Sequence, residues 1–293
     1  MQDAGGRRKI GYTLQTSPTL YPGQTVRAGV SADGGNPGPV TCCLYLRIYG
    51  ADDQLFITHG PEAVLQPGDC HEFEWRVGDT GGAPIAEIGV ECRGAVPAPT
   101  RRADGSVYLD YLTWDGAPNV VLTRPPDGGT MWRRAWVNGV DQFDPRWPEP
   151  YRIVQNHGTG LLIHGTREWT DYRVSATVTL HMVAAGGVGA RVQGMRRYYA
   201  LLLYSDDKAR LVKALDGDTT LAEADFAWEF GETHEFSLQV TGNQLEASID
   251  GCKLFSVDDT DHPLTGGGVA LICEEGCLSS DAVIVTTEVV TTR

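Results

Sequence analysis

From Trp169 to Ser280 the chain reads as one short strand after another, and this run limits the fold more than any other feature. Val188, Ala190 and Val192 alternate with Gly189, Arg191 and Gln193, the period of a strand buried on one face. Pro and Gly punctuation leaves no long segment with an apolar period of 3.6, so a nearly helix-free chain is expected. The 36 glycines and 16 prolines are spread along all 293 residues, as many short strands joined by tight turns require. A chain of this length can bury the cores of two ordinary β domains.

The punctuation is heaviest at Pro125-Pro-Asp-Gly-Gly129, which forbids regular structure and follows the strand-like Val121-Leu-Thr. A domain break is therefore expected near residue 125, giving domains 1–124 and 125–293. Upstream, Ile10–Leu14, Thr25–Ser31, Val40–Tyr49, Cys70–Val77, Ile85–Glu91 and Ser106–Trp114 read as the strands of one β-sandwich. Downstream, strand candidates recur from Tyr151 to Val285, and Asp250-Gly251 is a strong hairpin signal. The fold class that follows is all-β, two sandwiches in tandem.

Charge narrows the partners. The net charge of -14, from 24 basic and 38 acidic side chains, would repel a phosphate backbone, so no nucleic acid polymer is expected. No run approaches the roughly 18 apolar residues of a membrane span, and the charged start has no apolar segment behind it, so no membrane is expected. Seven cysteines leave at least one unpaired. Cys42, Cys43, Cys92 and Cys273 lie in apolar strand patterns, as buried thiols in a reducing cytoplasm would. Cys273 and Cys277 flank Glu-Glu-Gly, and a disulfide across that hairpin stays open. No second Cys or His pair stands at zinc-finger spacing.

Two stretches carry a resemblance. Gly105-Ser-Val-Tyr-Leu-Asp-Tyr-Leu-Thr-Trp-Asp-Gly116 resembles the closing strand of galactose-binding-like jelly rolls. About 120 residues of the second half resemble concanavalin A-like (laminin G-like) sandwiches. The residues that carry it are Gly160–Ile163, Trp169–Ala176, Gly187–Arg191, Tyr198–Leu201, Leu245–Gly251 and Gly266–Leu271. In tandem the two modules resemble the C-terminal accessory region of some bacterial ADP-ribosylglycohydrolase-family proteins, which implies a recognition region belonging to a larger hydrolase with its catalytic domain elsewhere in the parent chain. A second resemblance, to the 3-keto-glycoside hydrolase-like group, implies the alternative of a glycoside hydrolase acting in the groove of the second sandwich.

The polar parity of the second sandwich offers the candidate ligand surface: Arg191, Gln193, Arg196, Tyr198, Tyr199 and Lys213, with Glu168 and Trp169 at the start of a strand. Arg and Gln supply fixed donors for sugar hydroxyls or carboxylates, and Tyr or Trp supplies a flat face for a pyranose ring. The expected ligand is a glycan or a sugar-containing small molecule. Gly-x-Ser-x-Gly, His-Glu-x-x-His and phosphate-loop patterns are absent, so no catalytic residue is assigned and no cofactor is expected. Glu229, Glu232, Glu235, Glu274 and Glu275 remain as carboxylates whose pairing only space can decide. Asp110 stands where the jelly-roll resemblance implies a structural-calcium ligand.

Overall fold

A computed structural model describes residues 8–12, 18–94, 105–126, 129–144 and 146–287; Leu14, the last residue of the first expected strand, lies outside them. The chain divides into two compact units, Met1–Gly116 with Asp127–Met131, and Ala117–Pro126 with Trp132–Arg293. The described residues are almost all strand or turn, with one 3-10 turn at Ala51–Asp53 and a four-residue helix α1 (Met131–Arg134). The fold class is all-β.

The first unit holds β1 (Arg8–Tyr12), β2 (Thr25–Ala32), β3 (Val40–Tyr49), β4 (Leu55–Leu65), β5 (Cys70–Arg76), β6 (Ile85–Gly94) and β7 (Val107–Asp115). They form a four-stranded sheet in the order β1-β6-β3-β4 and a three-stranded sheet in the order β5-β2-β7. Alternate residues of both sheets fill one core: Val26, Ala28 and Val30 of β2, Cys42, Leu44 and Leu46 of β3, Phe73 of β5, Ile88 and Val90 of β6. β4 is an edge strand with mostly exposed side chains. A proline is tolerated there because an edge leaves one side of the strand unpaired. Gly60 and Pro61 oppose a single residue, Leu44, and so make a β-bulge between the pairs Cys43–Glu62 and Tyr45–His59.

The second unit holds β8 (Val120–Leu122), β9 (Val137–Gly139), β10 (Gln142–Phe143), β11 (Tyr151–His164), β12 (Tyr172–Leu180), β13 (Ala185–Gly194), β14 (Arg197–Tyr204), β15 (Lys208–Leu215), β16 (Asp218–Asp225), β17 (Thr233–Thr241), β18 (Gln244–Ile249), β19 (Cys252–Asp258) and β20 (Gly268–Thr286). Its ladders are continuous, yet they form two layers, because β11 and β20 pass from one to the other. The first stretch of β20 pairs with β13 and with the end of β11; the later stretch pairs with β12, β8 and the start of β11. The register of β11 slips between Gln155 and Thr159, and Glu275 of β20 takes a φ of 44° beside it. One layer runs β16-β15-β14-β13-β20-β11-β9 and the other β19-β18-β17-β12-β20-β11-β10. Between them Val174, Ala176, Val178, Phe236 and Leu238 are buried with Val188, Leu201, Leu203 and Leu211. All seven cysteines are thiols, Cys273 and Cys277 included.

Candidate ligand-binding surface

Strict alternation along β13 fails at Arg191. Its φ of 49° is left-handed, and the registers with β14 and β20 both slip around it. A bulge of this kind re-aims a side chain and exchanges the faces of the residues beyond it. Arg191 is thereby turned into the fold and is 1% exposed. Its Nε donates to the Thr170 carbonyl (3.0 Å), Nη1 to the Gly242 and Leu264 carbonyls (2.6 Å each) and Nη2 to Asp171 (3.1 Å). Its backbone N–H donates to the Tyr172 hydroxyl (2.6 Å). These donors stitch loops together, and a ligand on the surface does not reach them.

Tyr199 and Lys213 are cross-strand partners on the same inner face. Lys213 Nζ lies 2.7 Å from Asp259, with the two side chains 6% and 4% exposed, and also donates to the Asp261 carbonyl. Tyr199 donates to Asp259 (2.6 Å) and accepts from the Leu264 N–H (2.9 Å). Burial pushes the Asp259 carboxyl up, and Lys213 and Tyr199 more than offset it, holding the group below its ordinary value. Arg191, Tyr199 and Lys213 are thus brought together, as an internal polar cluster that pins the loop before β20. Gln193 is half-buried and donates to the Gly266 carbonyl (2.8 Å) at that loop's end. Trp169 is fully buried against Gly165, where a Cβ would come within 2.5 Å of its ring. Glu168 and Arg196 are exposed, and Arg196 donates to the Asp216 carbonyl (3.3 Å). In the first unit Asp110 accepts from Ser31 (2.6 Å), and among the described residues no cluster of three metal-ligating groups includes it.

Tyr198 alone of the expected set lies on the opposite face of the β13–β16 layer, since successive strand residues alternate. On that side Leu161, Ala200, Leu202, Val212, Ala270 and Ile272 form an apolar floor that is itself buried, with Tyr198 and Tyr204 packed against it. Cross-strand register places Thr159, Glu274, Ala185, Tyr204 and Lys208 in one row at one end, and Arg210 of the next row beside them. Tyr198, Ala214 and Asp218 form the row at the other end. Met195, in the β13–β14 turn, lies against Gly139 of β9, where a Cβ would come within 2.5 Å of its sulfur.

The charges of Glu274 and Asp218 are both felt at the Tyr198 and Tyr204 hydroxyls, which burial first and then those charges hold above their ordinary range. The Glu274 carboxyl is itself raised, chiefly by burial and then by Glu275 and Asp218. Among the described residues no protein group bonds the Glu274 carboxylate or the Tyr198 and Tyr204 hydroxyls, and none of these atoms is sealed from solvent. Arg210 is committed: it stacks on the Tyr204 ring at 4.2 Å and bonds Glu223 and Asp206 (2.6 Å each). A shallow cleft of about 440 Å³ beside β9 and β10 is less promising. There Arg146 is paired with Asp144, and Asp141 accepts from the Asn156 backbone.

No family model and no curated protein matches the sequence. Among solved structures, the chain is similar to the carbohydrate binding module CBM66 from Bacillus subtilis, at 13% identity over 51% of this chain and 94% of that one, with a TM-score of 0.47. A Bacillus subtilis protein of unknown function with a galectin-like fold gives 14% identity over 59% of this chain and 97% of that one, with a TM-score of 0.44. The Trypanosoma rangeli sialidase gives 14% over 54% of this chain but only 28% of that one, with a TM-score of 0.40.

Proposed function

We propose that the second unit binds a glycan, or the sugar part of a small conjugate, on the face ringed by Tyr198, Tyr204, Asp218 and Glu274, and does not transform it. The observation that carries this reading is the Glu274 carboxylate, half-buried and with no donor among the described residues. Its oxygens are open to solvent and not sealed in the core, so a ligand hydroxyl can reach them without breaking a bond within the fold. A polyhydroxylated ligand suits it: its hydroxyls donate to Glu274, and its ring oxygens and hydroxyls accept from the two tyrosines. The resemblance to accessory regions suggests that such recognition serves a hydrolase in the same parent chain.

Binding of a glycan array by the intact chain, followed by calorimetry on the hits, tests this. Loss of a hydrogen bond to a charged group costs about 1.5–3 kcal/mol, so Glu274→Gln should weaken binding about tenfold to a hundredfold. The same change should raise the melting temperature at pH 7. The folded pKa of Glu274 is raised above its ordinary 4.5, so its contribution to stability is complete below that value and is lost as pH rises through the folded pKa. Binding unchanged in both Glu274→Gln and Tyr198→Phe, or no glycan bound at all, would overturn the proposal.

One observation favours a second reading. A half-buried carboxyl raised by burial, with Glu275 and Asp218 in electrostatic range, is the pattern of a general acid beside a second carboxyl in glycoside hydrolysis. Turnover of any bound glycoside, abolished by Glu274→Gln, would replace recognition with catalysis.

A further inference from the structure

The outward face of the β1-β6-β3-β4 sheet carries three side chains of different chemistry at one point. Cys43 of β3 pairs across the ladder with Glu91 of β6, and Tyr45, two residues on, pairs with His59 of β4. Residues two apart on a strand share a face, so Cys43, His59 and Glu91 share one. The Gly60-Pro61 bulge separates His59 from Glu62, the direct partner of Cys43 on β4. The Cys43 sulfur, one His59 nitrogen and one Glu91 oxygen all lie within 4.8 Å of one another. His59 Nε2 and Glu91 Oε1 are already 3.6 Å apart. Tetrahedral zinc, with bonds of about 2.3 Å to sulfur and about 2.0 Å to nitrogen or oxygen, sets its donor atoms about 3.5 Å apart.

We propose that Cys43, His59 and Glu91 bind a divalent transition metal of the zinc class, with water in the fourth position. Thiolate, imidazole and carboxylate together select zinc over calcium or magnesium, which take oxygen ligands. One thiolate and one carboxylate neutralise a divalent ion, which suits a site where Glu91 is 4% exposed and Cys43 is buried. Lys9 Nζ stands 3.5 Å from the other Glu91 oxygen and over the Tyr45 ring, so it orients the carboxylate from behind and leaves Oε1 facing His59. Glu62, the remaining neighbour of Cys43, is held by Arg93 at 2.8 Å. His59, 44% exposed, has the freedom to close the last ångström. A metal binds the thiolate and not the thiol, so binding releases the Cys43 proton. The adjacent Cys42 belongs to the core on the other side of the sheet, its sulfur 3.2 Å from that of Cys92, and supplies nothing to this face.

Titration of the untagged, reduced chain with Co²⁺, read by absorbance, tests the assignment. One equivalent should produce a thiolate-to-cobalt charge-transfer band and tetrahedral visible bands, and one equivalent of Zn²⁺ should abolish both. Losing even an outer partner of a metal ligand weakens binding about 10–100-fold, so His59→Ala should weaken it by at least that much. Cys43→Ser should remove the charge-transfer band altogether. His59 is exposed on an edge strand, so His59→Ala should melt as the parent does without metal and serves as the control on folding. A band that survives in Cys43→Ser, equal affinity in His59→Ala, or no saturable binding by the parent would overturn the assignment.

Discussion

Lys213 and Asp259 make the most consequential residue-scale contact in the second unit. Removing one member of a buried ion pair leaves the other charged and unpaired, which costs about 3–5 kcal/mol. Lys213→Met should therefore lower stability by that order in denaturant unfolding. Combining Lys213→Met with Asp259→Asn removes both charges and should recover part of the loss. Because the folded pKa of Asp259 is depressed below its ordinary 3.8, the stabilisation it contributes is present above that value and is lost as pH falls through the folded pKa. Arg191→Ala belongs with this pair: it strands three loop carbonyls and should depress the melting temperature, with any change in ligand binding secondary. The sequence identifies Arg191, Tyr199 and Lys213 as polar residues standing in apolar strands, and that is legible. Which way they point is not, because one left-handed residue at a bulge reverses the parity that alternation extrapolates. Tyr198 and Tyr199 show the same limit. They are indistinguishable by type, and only the register of β14 sends one to the apolar floor and the other into the interior.

At the scale of elements, the legible parts are those with local chemistry. Asp250-Gly251 joins β18 and β19 with both residues at positive φ, 53° and 74°, the two-residue turn whose twist matches that of the paired strands. Gly251→Val places a β-branched residue in the left-handed region, which costs about 1–2 kcal/mol, and should lower the unfolding midpoint accordingly without altering the fold by circular dichroism. Asp250→Asn keeps the turn, since asparagine tolerates the same region, but gives up the charge that faces His234 at 2.7 Å, and should lower the midpoint through that lost contact alone. β4 is the counterexample, a strand that composition hides. Its exposed side chains and internal Gly60-Pro61 resemble a loop, and only its place at a sheet edge allows a strand there. The metal-ligating triad is hidden for the same reason. Its members, Cys43, His59 and Glu91, come from three different strands, and no spacing rule joins them.

For the whole molecule, the two units are each described by a core of their own, and the second departs from a pair of separate sheets in one respect. β11 and β20 belong to both of its layers. Two layers held only by face-to-face packing could open separately, as subglobal units with distinct free energies. Here an opening of either layer must break ladders on a strand that the other layer also uses. Native-state hydrogen exchange should therefore give amides of β14 and β17 the same opening free energy, and Leu271→Ala should lower both by the same amount, about 2–5 kcal/mol. A β14 that exchanges well before β17 would show that the shared strands do not couple them.

Those shared strands also bear on how the chain reaches this state. β20 is the last described strand, yet its hydrogen-bond partners β8, β11, β12 and β13 all precede it, Val283 pairing with Leu122 across more than half the chain. Contacts of such sequence separation must close long loops before they return any stabilisation, which slows folding. On a ribosome, where the chain emerges from its N-terminus, the first unit can complete its sandwich while the second still lacks the strand that occupies the middle of both its layers. Until β20 emerges, β12 and β13 each present an open edge. The second unit is therefore the part whose yield should depend most on temperature and on chaperones during synthesis.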